Sequence, residues 1–258
     1  MKANLNSNKK IWIAALLVLV LMISGSAAMA RIDATPQQRQ QLKTIAMQTR
    51  DTTRQKRDAL RHARAELFKV YGDYNLDAHK AKVAIENIGK VQLDLLNLHL
   101  DNQIAIRNIL NEDQFGQFVE MMRSNIHRGP GFHAFCMQEE SPADMAPSKQ
   151  LLDDIGVSQD QIRRIKGQLG SGQKKKVVLD KLRHDSAQLL DTYSKYNLDK
   201  AAAKKLIDNV HNYQVELSAV NFKRQQVIRS VLTQDQFQKL QQKLAERMHS
   251  MRHQWQEK

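Results

Sequence analysis

The chain has 258 residues, with 40 Lys and Arg against 27 Asp and Glu, a formal charge of +13, 5% aromatics, 10 glycines, 4 prolines and one cysteine. That balance favours an anionic or acidic partner, and Cys136 alone excludes an internal disulfide. Gln, Lys, Arg, Leu and Ala dominate and no stretch alternates with period two, so the expected fold class is all-α.

In chain order, Lys2, Lys9 and Lys10 precede an apolar stretch over Ile11–Ile23, and Ala28-Met29-Ala30 ends it as a small-x-small cleavage site. Residues 1–30 therefore read as a signal peptide cut after Ala30, with an uncleaved anchor as the alternative. Removing its three lysines leaves +10 on a mature chain exported to the periplasm. Export disfavours nucleic acid as partner. It leaves unfolded polypeptide, an anionic membrane surface or the acidic face of another protein.

A long helix is predicted from about Pro36 to Asp73. Tyr74-Asn75-Leu76-Asp77 forms a turn with Asp77 as N-cap, a second helix runs over Ala78–Leu110, and a shorter third one reaches about Ile126. Between Met47 and Leu60 the first helix has almost no core material. Instead Arg50, Arg54, Arg57, Arg61 and Arg64 recur at spacings of four and three, which puts five guanidiniums on one face. Such a helix suits a thin layer of helices better than a globular bundle. The stripe is either a solvated face or a client-binding surface; Asp51, Asp58 and Glu66 are the only acids nearby.

Residues 128–150, with Gly129-Pro130-Gly131, Pro142 and Pro147, read as a linker. After it the pattern repeats, with helices expected at Gln159–Lys195, Lys200–Leu232 and Gln234–Gln254, the first weakened or broken at Gly167, Gly170 and Gly172. The repeat is literal. Shifting the chain by about 122 positions lays Asp58–Phe115 on Asp180–Phe237 without a gap, with about 24 of 58 residues identical. Residues 31–127 and 151–258 are thus two copies of one unit, each a long helical hairpin with a short third helix.

Four helices start with a capping box, in which Ser, Thr or Asn is followed three residues later by Gln: Thr35/Gln38, Asn111/Gln114, Ser158/Gln161 and Thr233/Gln236. Leu110 with Phe115, Val157 with Ile162, and Leu232 with Phe237 add hydrophobic staples that fix the angle of entry. Asn102–Gln114 and, more closely, Arg224–Gln236 with its Leu232-Thr233-Gln234-Asp235-Gln236, resemble the LTxxQ motif of the Spy/CpxP periplasmic proteins. The boxes at Thr35 and Ser158 sit where that family places its first motif. Asn111 departs from the family threonine but still caps. The resemblance covers nearly all of the mature chain as two units in tandem. It implies a thin, cradle-like helical layer, ATP-independent binding of unfolded or misfolded proteins and, in one branch, control of an envelope-stress sensor kinase. A related branch binds heavy metals. Here both units lie on one chain, which leaves an intramolecular pseudo-dimer or a homodimer open.

There is no Gly-rich phosphate loop, no nucleophile elbow and no base near Cys136 in sequence, so an enzyme is not expected. The rival to a chaperone is a sensor or resistance protein for Zn, Cu or Ni. Candidate ligands are His62 and Glu66 at i,i+4, His249 and His253 at i,i+4, and His127, His133 and Cys136 in the linker. No segment supplies three or four ligands at a strong spacing, so no cofactor is expected, with Zn or Cu as the alternative.

Overall fold

The computed structural model describes residues 32–125, 149–170 and 172–256. Among them are eight α-helices and no strand: α1 (Pro36–Gly72), α2 (Ala78–Ile109), α3 (Glu112–Asn125), α4 (Lys149–Asp154), α5 (Gln159–Leu169), α6 (Gln173–Ser194), α7 (Lys200–Val231) and α8 (Gln234–Gln256). The fold is all-α. None of these helices is long and apolar enough to cross a membrane. The predicted signal peptide and most of the predicted linker lie outside the described residues.

The caps set the helix starts. In all four boxes the side-chain oxygen accepts from the N3 amide and the glutamine oxygen accepts from the N-cap amide. The two distances are 3.2 and 2.8 Å at Thr35/Gln38, 2.9 and 3.1 Å at Asn111/Gln114, 3.2 and 2.9 Å at Ser158/Gln161, and 3.2 and 3.1 Å at Thr233/Gln236. Pro36 occupies the first helical position of α1, where a missing N–H costs nothing. Asp77 and Asp199 cap α2 and α7 by accepting from the amides of Lys80 and Ala202.

The first helix of the second copy is broken as expected. Gly170 and Gly172, both at φ 69°, separate α5 from α6, because only glycine enters this left-handed region without strain. Gly167 stays helical inside α5. Helix α4 is not expected from the sequence and begins within the stretch read as linker. It ends in a Schellman turn: Gly156, at φ 74°, donates to Asp153 O at 3.0 Å, and Val157 donates to Leu152 O at 3.0 Å.

The chain divides into two compact units that cut across the repeats. The first takes residues 32–61 and 89–125 from the first copy and 180–214 from the second. The second takes residues 62–88 from the first copy and 149–179 and 215–256 from the second. Each unit is thus the base of one repeat joined by the hairpin tip of the other. In the first unit Ile32, Ala34, Leu42, Ala46, Ile106, Leu110, Phe115, Phe118 and Met121 form the buried cluster, with Tyr196 packed against it. In the second, Leu151, Leu152, Ile155, Val157, Ile162, Ile165, Ile228, Val231, Leu232, Phe237 and Leu240 do so, with Tyr74 packed against them. All three predicted staples are inside these clusters.

Candidate functional site

In the first unit α1 has two unlike faces. The inner one carries Leu42, Ala46, Thr49 and Thr53, all buried, then Lys56 and Leu60, half-buried. The leucine and alanine join the core, but further along the contacts turn polar. The Thr49 hydroxyl donates to Asn102 Oδ1 of α2 at 2.6 Å, and Lys56 Nζ donates to Asp94 Oδ2 at 2.8 Å. His99 lies buried on α2, one turn from Asn102. Desolvation pushes its pKa down to about 4, and the charge of Arg57 adds to the shift. The imidazole is therefore neutral at pH 7. Sequence reading saw the absence of core material here but not the threonine–asparagine seam that replaces it.

The outer face of this stretch carries Met47, Arg50, Arg54, Arg57 and Arg61, all exposed. They fall within about 80° of arc at 100° per residue. Met47 is 58% exposed, the highest among the large hydrophobic side chains of the described residues. Arg61 is engaged by Asp58, whereas Arg50, Arg54 and Arg57 form no ion pair among the described residues. Although Arg57 is exposed as a residue, partial desolvation of its guanidinium pulls its pKa below the ordinary value. Four of the five arginines singled out from the sequence thus share one unit and one face. Arg64 is half-buried and belongs to the second unit.

The LTxxQ-like boxes do more than cap. Within each repeat the two glutamines clasp each other. Gln38 Nε2 donates to Ile109 O at 2.7 Å and to Gln114 Oε1 at 3.0 Å, while Gln114 Nε2 donates to Asp33 O at 2.6 Å. In the second repeat Gln161 Nε2 donates to Val231 O at 2.9 Å and to Gln236 Oε1 at 2.8 Å, and Gln236 Nε2 donates to Gly156 O at 2.7 Å. A glutamate could complete the capping box, but it has no N–H to give those carbonyls.

Next to each clasp is a socket for the tip of the other repeat. Arg107 donates to the carbonyls of Tyr193 (2.7 Å), Lys195 (2.7 Å) and Tyr196 (3.0 Å), which closes the C-terminus of α6. Its guanidinium lies 4.2 Å from the centroid of Phe115, and the Tyr196 hydroxyl returns a bond to Leu110 O at 3.1 Å. In the second unit Arg229 closes α1 through Tyr71 O and Asp73 O, lies 4.4 Å from the Phe237 centroid, and Tyr74 Oη donates to Leu232 O at 3.0 Å. Desolvation lowers both arginine pKa values to about 10, so both remain charged at neutral pH. Arg107, Arg229, Tyr74 and Tyr196 are identical between the copies. That identity was the available signal for a role the sequence did not reveal.

Of the metal candidates, only His62 and Glu66 have described side chains. His62 and Glu66 are exposed on α1 in the second unit. His127, His133 and Cys136 lie outside the described residues, and so do the side chains of His249 and His253 on α8. Among the described residues no group of three His, Cys, Asp or Glu side chains is placed to hold a metal. An open groove of about 450 Å³ in the first unit is lined by Ile104, Arg107, Asn108 and residues 196–200, and so adjoins the Arg107 socket. Comparison with protein families, with curated proteins and with solved structures found no match.

Proposed function

We propose that this protein is an exported, ATP-independent holdase of the Spy/CpxP kind, which captures unfolded periplasmic proteins on the cationic face of α1. The observation that carries the reading is that face. Arg50, Arg54, Arg57 and Arg61 are displayed beside an exposed Met47, on a helix whose inner side packs Leu42 and Ala46 into the core and then bonds α2 through Thr49 and Lys56. Guanidiniums steer acidic or mixed clients at long range, and an exposed, adaptable methionine gives loose apolar holding. The four glutamine capping boxes support the family resemblance. The export signal in the sequence supports the compartment.

The test is aggregation of a chemically denatured model protein followed by light scattering. Wild type suppresses it without ATP. A variant with Arg50, Arg54 and Arg57 changed to Ser keeps its helical circular dichroism and protects poorly. Protection by wild type weakens as added salt shortens the Debye length from about 10 Å to about 3 Å. A variant that protects as well as wild type reduces the stripe to a solvated face, and a wild type that protects nothing removes the chaperone reading.

A further inference from the structure

The arginines of α1 have a pitch. Arg50, Arg54, Arg57 and Arg61 follow one another at four, three and four residues on an unbroken helix, so their Cα atoms rise in steps of roughly 6, 4.5 and 6 Å. We propose that this face docks an acidic amphipathic helix from the client, with carboxylates at i, i+4, i+7 and i+11. The proposal rests on the client-binding reading and narrows it from unfolded chains in general to segments that form an acidic helical stripe.

Charge complementarity selects the sign, and the pitch selects the conformation. A client helix with that spacing repeats the same three steps, so four carboxylates meet four guanidiniums together once Arg61 exchanges Asp58 for the client's carboxylate. The order four-three-four also reads the same backwards, so parallel and antiparallel docking satisfy it equally. An extended client presents same-side residues roughly every 6.6–6.8 Å. Over three steps it overshoots the arginines by about 3.5 Å, so the outer side chains must reach inward and give up rotamer freedom. A lipid surface has no pitch to match. A helix that lies in one needs a broad apolar face, and among the described residues the large apolar side chains exposed along this helix are only Met47 and, two turns beyond Arg61, Phe68.

The experiment uses the full chain and fluorescence anisotropy at low ionic strength, with three labelled peptides of about 20 residues. The first is an Ala/Leu helix bearing Glu at the stated spacing. The second has the same composition with a central L-to-D pair that abolishes the helix. The third replaces Glu by Lys. The Glu helix should bind about fivefold tighter than its broken isomer, as the loss of two of four exposed ion pairs implies. The Lys peptide should not bind, and R50S/R54S/R57S should erase the difference with its circular dichroism unchanged. Equal affinity for the helical and broken peptides overturns the proposal, even if aggregation is still suppressed; the holdase reading then stands without helix selection. Preferential binding of phosphatidylglycerol vesicles over both peptides overturns it too. Helix-selective binding without any suppression of aggregation keeps the docking site and discards the holdase.

Discussion

The two compact units are closed by the same device and filled with different material. Arg107, Phe115 and Tyr196 in one match Arg229, Phe237 and Tyr74 in the other, residue for residue and nearly distance for distance. Away from the sockets and the glutamine clasps the packing differs. The base of the second unit buries Leu151, Leu152, Ile155, Ile162, Ile165 and Val178. The base of the first has Thr49 and Thr53 at the inner face of α1, with His99 and Asn102 buried on α2. The position of His99 falls to Asn221 in the second copy, which cannot titrate. Both units share the closure, while the first carries a polar seam on the inner side of α1 and cations on its outer face.

If the sockets are equivalent, they should fail alike, and this is the largest effect expected. Arg107→Ala strips partners from the carbonyls of Tyr193, Lys195 and Tyr196; Arg229→Ala does the same at Tyr71 and Asp73. The Tyr71 carbonyl is buried, those of Tyr193, Tyr196 and Asp73 are partly buried and that of Lys195 is exposed; a buried carbonyl left without a partner costs about 1–3 kcal/mol, and the stacking on phenylalanine is lost as well. Each variant should lose about 3–4 kcal/mol in urea unfolding. A loss in one variant and none in the other would break the equivalence of the two closures.

Acid should separate the units. His99 titrates at about 4 in the folded chain, against an ordinary value near 6.5. Between those values the unfolded chain binds the extra proton, so stability falls as pH drops from about 6.5 to about 4 and is flat on either side. Burial is the larger cause of the shift, and the charge of Arg57 acts in the same direction. The loss approaches about 3 kcal/mol and belongs to the first unit. Hydrogen exchange should show residues 42–60 of α1 losing protection at pH 4.5 relative to pH 7, while α5 keeps its own. His99→Asn, which installs the residue of the second copy, should flatten the response. An unchanged pH profile in that variant would show that acid acts elsewhere.

What could be read in advance follows the range of the interactions. Capping boxes, staples and the break at Gly170 and Gly172 are decided within about five residues, and the sequence displayed each of them. The sockets join residues more than 80 positions apart, Arg107 with Lys195 and Arg229 with Asp73. The duplication marked these residues as shared but not as partners. Nor could identical tips, Tyr74–Asp77 and Tyr196–Asp199, reveal whether each enters the socket of its own repeat or of the other. Helix α4, at six residues, is too short to show a periodicity. The arginine face was legible because exposed cations at helical spacing need no partner to be seen. The threonine seam behind it was not, because Thr49 and Thr53 look like ordinary polar residues until Asn102 and His99 are placed opposite.

The glutamine clasp sets a local rule against a longer-range one. Glutamate at N3 is ordinarily a good capping-box residue and suits the helix dipole. In the clasp it would turn a carboxylate toward Asp33 O or Gly156 O, where an amide now donates at 2.6 or 2.7 Å. Gln114→Glu and Gln236→Glu should therefore destabilise at pH 7, by about 1–2 kcal/mol each. A gain in stability in chemical melts would mean that the box acts only as a cap.

The N-caps give the smallest effect and the finest comparison between the copies. Asn111 and Thr233 occupy the same position, each accepting from the N3 amide, at 2.9 and 3.2 Å. Alanine at either should cost about 1 kcal/mol. Asparagine caps slightly better than threonine, so Thr233→Asn should be neutral or gain a few tenths of a kcal/mol and Asn111→Thr should lose about as much. Urea midpoints at constant slope would read both differences. If Thr233→Asn destabilised as much as Thr233→Ala, the threonine would be held for its methyl group against the neighbouring turn rather than for its oxygen. The two copies would then differ in more than capping strength at this N-cap.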